Sequence, residues 1–268
     1  MPAGARMTEL GDMWICAMQA LWSPDDSTEK IRSRRAPERS LRTLLAGWAL
    51  FAFATGAAVH ETIAQQPASI PQGEIATPPG LPAIGKWMIG KDGSIAHWLG
   101  ERVDGKELHE PINIVLIDAS SSSADEAHRA LVAAATAAGY PVRFGHSTGY
   151  RGYVGGALYR QLPQGRDDAF SNRIFEETNN HGRIFGPHAS DRGYVFIGAF
   201  SREAVNFLRD PPHRYASFNQ ARDGFAQALA AHSAYRQSGT VPLDNAISDN
   251  PQVTTGDHDG LAVVLTRD

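Results

Sequence analysis

In Asn179-Asn180-His181-Gly182-Arg183-Ile184-Phe185 a histidine and an arginine stand two residues apart. In an extended strand such residues share a face, so His181, Arg183 and Phe185 point together. The pair suits an anion, because a guanidinium offers a planar fork of donors and an imidazole a donor whose charge switches near neutral pH. The alternative leaves both side chains on a solvated face, with Ile184 packed inside. His213, which follows Asp210-Pro211-Pro212 and is read as opening a helix, is the third candidate. His181, Arg183 and His213 are thus the candidate ligand-binding residues, for a small anionic or lipid-derived ligand.

Other constellations carry less. Gly145-His146-Ser147-Thr148-Gly149 spells the G-x-S-x-G of a nucleophile elbow, with Asp223 or Asp244 and then His258 in the chain order of a triad. That motif needs a strand before the serine and a helix after it, yet Gly152, Gly155 and Gly156 encode a poor helix. Asp257-His258-Asp259 offers ligand types for a metal, but three consecutive residues do not converge easily and Gly256 and Gly260 mark a turn. No H-E-x-x-H or paired His/Cys pattern is present, so neither a metal nor a cofactor is expected. Asp118 ends an apolar strand, a place for functional groups in α/β sheets, or simply caps the next helix.

The elements that must position these groups follow from periodicity. Lys86–Ile89 and Ile95–Trp98 read as a hairpin. Ile112–Ile117 is a continuous apolar run, typical of a strand buried on both faces. Ser120–Ser123 supply helix caps, Asp125 and Glu126 an acidic first turn, and Gly139 a stop. Strands are expected near 142–144, 181–186, 193–199 and 261–266, with a second helix over 215–232 whose Phe218, Phe225 and Leu229 face a core. The order predicts an α/β (or α+β) single domain, a mixed β-sheet flanked by helices on one or both faces.

The chain has 268 residues, 25 basic against 29 acidic, and one cysteine. This excludes an intrachain disulfide scaffold and a nucleic-acid binder driven by bulk charge. The charge is uneven, however. Lys30, Arg32, Arg34, Arg35, Arg39 and Arg42 precede an uncharged apolar run from Thr43 to Val59, the pattern of an export signal or an uncleaved signal anchor. Residues 1–64 are therefore read as a basic segment plus signal peptide or signal-anchor helix, with cleavage after Ala64. Residues 65–84 are read as a proline-rich linker and 85–268 as the exported domain. The expected location is periplasmic or secreted; an uncleaved signal would tie the domain to the inner membrane through residues 43–60.

A family pattern emerges from several of these features in order. They are Glu110–Ile117, the alanine-rich helix ending Ala137-Ala-Gly-Tyr140, Asp168-Ala-Phe170, Asn180–Phe185, Tyr194–Phe200, His213-Arg214 and the helix carrying Arg222-Asp223. Together they resemble the LssY C-terminal-type domain over roughly Glu110 to Leu229. The resemblance implies a cell-envelope setting and points again to His181, Arg183 and His213, but implies no reaction. The expected function is binding of an anionic or envelope-derived ligand. The alternative is a hydrolase, either through a phosphoester-handling His/Arg site or through Ser147 with His258 as base.

Overall fold

The computed structural model describes residues 70–163 and 169–268. The basic segment and the apolar run at 43–59 lie outside them. No helix among the described residues is long and apolar enough to cross a membrane.

Short turns set the architecture. Strands β1 (Ile75–Ala76) and β2 (Ile84–Gly85) pair with each other, so residues 70–84, read above as linker, are in part built into the sheet. Asp104 and Gly105 both take positive φ and join β3 (His97–Val103) to β4 (Lys106–His109), a two-residue turn whose twist matches antiparallel strands. The apolar run forms β5 (Ile114–Asp118). Next comes α1 (Ala124–Ala137), capped by Ser123 Oγ, which accepts from the Glu126 N–H, and followed by Gly139 at positive φ. After β6 (Val142–Arg143), Gly155 and Gly156 close a second tight hairpin, β7 (Arg151–Val154) with β8 (Ala157–Leu162). Strand β9 (Ala169–Ser171) leads to the long pair β10 (Asn179–Ser190) and β11 (Gly193–Val205). Then follow β12 (His213–Ser217), α2 (Phe218–His232), β13 (Arg236–Pro242), β14 (Val253–Thr254) and β15 (Leu261–Arg267).

These elements correct the expected fold class. Among the described residues there are two helices, and the main sheet of twelve strands curves into a half-barrel. Its spine runs β1-β2-β7-β8-β10-β11-β5-β15-β13, and only β5 with β15 pairs in parallel. Tight hairpins make sequential strands antiparallel, whereas a helix-flanked α/β sheet requires long crossovers. A small sheet of β14, β4 and β3 stands apart.

The continuous apolar run has a different cause from the one expected. One face of β5, through Ile114 and Leu116, joins α1 and α2 residues such as Leu131, Phe225 and Leu229 in one core. Its other face, through Val115 and Ile117, packs in a second core with Ile84, Met88, Val154 and Leu243. The second cover is therefore strand and loop, not helix. A strand buried on both sides needs apolar residues at every position whichever element supplies each lid.

Candidate functional site

The site forms where the second core turns polar. In the β10–β11 ladder Phe185 stands opposite Ile197, Arg183 opposite Ala199, His181 opposite Ser201, and Asn179 opposite Glu203. Phe185, Ile197 and Ala199 belong to the apolar core, and the same face then continues as Arg183, His181, Ser201, Asn179 and Glu203. All five of these polar residues are buried. Strand β12 pairs along β11 with Tyr215 opposite Glu203 and His213 opposite Val205, which brings His213 beside Glu203. His213 is thus a strand residue; the helix starts five residues later, at Phe218. The loop between β6 and β7 supplies His146, Ser147 and Tyr150.

Glu203 joins the two histidines named from sequence. Its Oε1 accepts from His213 Nδ1 at 2.8 Å, and its Oε2 lies 3.9 Å from His181 Nδ1. Asn179 settles the tautomer of His181. The amide nitrogen donates to the Glu177 carbonyl and to Glu203 Oε2, so Oδ1 must accept, and His181 Nδ1 donates to it at 2.8 Å. The neutral ring then keeps its lone pair on Nε2, which faces Ser201 Oγ at 3.4 Å, itself the acceptor of the Trp98 indole N–H. The His146 ring lies 4.7 Å from that of His181, and its Nε2 is buried with no hydrogen-bond partner. Phe175 stacks on His213 at 4.2 Å and meets His146 edge-on.

Arg183 is held differently. Its Nε and Nη2 donate to the Ser147 carbonyl, Nη2 also reaches Ser147 Oγ at 3.2 Å, and the guanidinium sits 4.8 Å from the centre of the Tyr150 ring. It is 4% exposed, yet it makes no ion pair among the described residues. Buried Glu110 and Glu203 act on it only at longer range. Burial pushes both carboxyls up, and Arg183 and His213 partly offset this for Glu203. Burial, then Arg183, pulls His181 well below the usual histidine range and His146 to about 4. Both rings are neutral near pH 7, and Arg183 sets a permanent positive charge beside them.

Two clefts flank the cluster. One of about 350 Å³ is lined by Lys91, Arg151, Arg160, Tyr150 and Gln161, with three cations and no acid. Arg151 and Arg160 stand directly opposite each other on β7 and β8, where like charges repel. The other, of about 430 Å³, includes Phe144, Ile174 and Phe175. Phe144 and Ile174 are exposed, as are Phe207 and Leu208 beyond His213, whose ring Phe207 meets edge-on at 6.3 Å.

The remaining candidates are dispersed. Ser147 lies in a loop between two strands rather than at a strand-to-helix elbow, and its Oγ pairs with Tyr150 OH. His258 Nε2 is bound to Asn245 Oδ1, and Asp223 pairs with Arg222, so no triad forms around the serine. Asp257, His258 and Asp259 diverge: Asp257 accepts from Ser217 Oγ and the Phe218 N–H at the start of α2, His258 turns inward, and Asp259 pairs with Arg222. Asp118 caps the following turn through the Ser120 and Ser121 N–H groups and pairs with Arg267 at 2.8 Å.

Glu203, His146 and the basic cleft are not among the residues read from sequence. For Glu203 a signal exists: Val195, Ile197, Ala199, Ser201 and Glu203 share one face of a strand, and its inward set ends in polar residues. No family model, curated protein or solved structure matches the chain.

Proposed function

We propose that this chain is an exported cell-envelope domain, of the LssY C-terminal type, that binds a small anionic or lipid-derived ligand through His181, Arg183 and His213. One observation carries the reading. Arg183 is a buried guanidinium with no carboxylate in contact, and through Tyr150 it adjoins a cleft lined by Lys91, Arg151 and Arg160. An uncompensated buried charge is costly, and so is a like-charged cross-strand pair. A phosphate or carboxylate group relieves both. The exposed Phe144, Ile174, Phe207 and Leu208 near Phe175 and His213 favour a ligand whose anionic head carries an apolar part. The export signal read at residues 43–64 supports the envelope setting.

The test is calorimetric titration of the full chain with inorganic phosphate, with a short-chain phosphatidic acid and with a neutral lipid of the same chain length. Binding of both anions, weakened at least tenfold in Arg183→Gln, supports the reading. Tighter binding of the lipid than of phosphate identifies the lipid-derived source. Equal affinity for the neutral lipid, or wild-type affinity in Arg183→Gln, overturns it.

The Glu203–His213 contact favours one second reading, phosphoester hydrolysis. A carboxylate that accepts from Nδ1–H leaves the lone pair of a neutral imidazole on Nε2, where it can take a proton from water, while Arg183 stabilises developing negative charge. Turnover of a chromogenic phosphomonoester or phosphodiester, abolished by His213→Gln, would establish that chemistry.

A further inference from the structure

We propose that His97, Glu107 and His109 form a binding site for a divalent transition-metal ion of the zinc type. These residues lie on the β3–β4 hairpin, outside the site described above. His97 and His109 are direct cross-strand partners, and Glu107 precedes His109 by two positions on β4, hence on the same face. Between His97 and Arg102 the register slips, with Gly100 at positive φ inside the irregular stretch.

One ligand atom from each of the three lies within 4.8 Å of the others. The His97 Nδ1 to Glu107 Oε2 distance is already 3.6 Å. Ligands of a tetrahedral zinc ion at about 2.0–2.2 Å stand roughly 3.3 Å apart, so small rotamer changes in His97 and Glu107 complete the set. Both side chains are partly exposed and have room for this.

Neighbouring contacts orient the ligands. Arg102 Nη2 holds Glu107 Oε1 at 3.1 Å, leaving Oε2 for the histidine side. The Trp87 ring meets His109 edge-on at 5.5 Å, and its indole N–H is fixed by Glu74. Such outer contacts set ring orientation in metal sites. A plain surface ion pair of His97 with Glu107 would account for those two residues but not for His109, whose Nδ1 is buried without a hydrogen-bond partner. Two imidazoles and one carboxylate suit a zinc-type ion, and a fourth position stays open to water.

The full chain, freed of metal with a chelator, is titrated with Zn²⁺ by calorimetry, and Co²⁺ is added as a visible-absorption reporter. Wild type is expected to show saturable binding and Co²⁺ bands of low coordination number. His97→Ala and Glu107→Gln, which alter partly exposed side chains, should each weaken the tightest Zn²⁺ step by at least about tenfold while leaving metal-free melting unchanged. If His97→Ala lowers that melting temperature, Glu107→Gln alone decides. Absence of saturable binding in wild type, or wild-type affinity in the deciding variant, overturns the proposal.

Discussion

His258 Nε2 lies 2.8 Å from Asn245 Oδ1, and the hydrogen bonds of the amide decide which of the two donates. Asn245 Nδ2 gives its protons to the Lys86 and Ile112 carbonyls, so Oδ1 must accept and His258 carries its proton on Nε2. Nδ1 is then the lone-pair nitrogen, and it is buried without a hydrogen-bond partner. Protonating it would bury an unpaired N–H.

Burial accordingly pulls His258 down to about 4. A histidine whose folded value lies below the unfolded one stabilises the fold above about pH 6.5, and that stability is lost as pH falls from there toward 4. The shift corresponds to about 3 kcal/mol over the window. His258→Gln can still donate to Asn245 without titrating, so its stability should fall less steeply on acidification. Urea unfolding near pH 7.5 and near pH 4 measures this, and parallel wild-type and variant profiles would sink the assignment.

Glu203→Gln tests the acid that links His181 and His213. Glutamine can keep Oε1 as acceptor for Asn179 Nδ2, but its amide N–H₂ then faces His213 Nδ1, which accepts only if the ring moves its proton to Nε2, and the hydrogen bonds to an ionisable acid are lost. A loss of about 1–3 kcal/mol is expected from replacing these hydrogen bonds to an acid by weaker neutral ones. Chemical denaturation reads it; a variant as stable as wild type removes Glu203 from the network.

Gly182→Ala tests the seam between the site strand and the helical core. A Cβ there would come within 2.4 Å of the Phe200 ring, which is stacked on Phe225 at 4.1 Å and buried with it. The ring has nowhere to retreat, so overpacking should cost about 1–3 kcal/mol. Thermal unfolding should show it, together with weaker anion binding as His181 and Arg183 shift. An unchanged melting temperature contradicts the packing.

Arg160→Gln has an opposite pair of signs. Removing one of two facing cations should raise the melting temperature of the ligand-free protein while reducing the stabilisation that added phosphate confers. A variant that melts lower without ligand, yet responds to phosphate like wild type, shows the cleft to be a structural rather than an anion-binding feature.

Much local structure was legible in the chain. Ser123 and Gly139 bound α1 as their capping chemistry requires, and the Phe218, Phe225 and Leu229 spacing marks the buried side of α2. Alternation in β10 puts His181 and Arg183 on one face. Two further turn signals lie in the chain, Asp104-Gly105 and Gly155-Gly156, each a two-residue hairpin turn that argues for antiparallel neighbours. With them, the helix-flanked sheet would have given way to a mainly antiparallel one.

What the sequence determined by itself is periodicity and turn chemistry, because both act between residues close along the chain. Only the tertiary structure decided what covers each face. The His181–Arg183 face could have met solvent. Instead the loop carrying His146 and Ser147, and the strand carrying His213, close over it and bury both residues, His181 near Glu203 and Arg183 against the Ser147 carbonyl. Such a lid depends on long-range pairing, which no local pattern encodes. The same burial turns a histidine and an arginine two residues apart into a neutral imidazole beside a guanidinium that lacks a counter-ion.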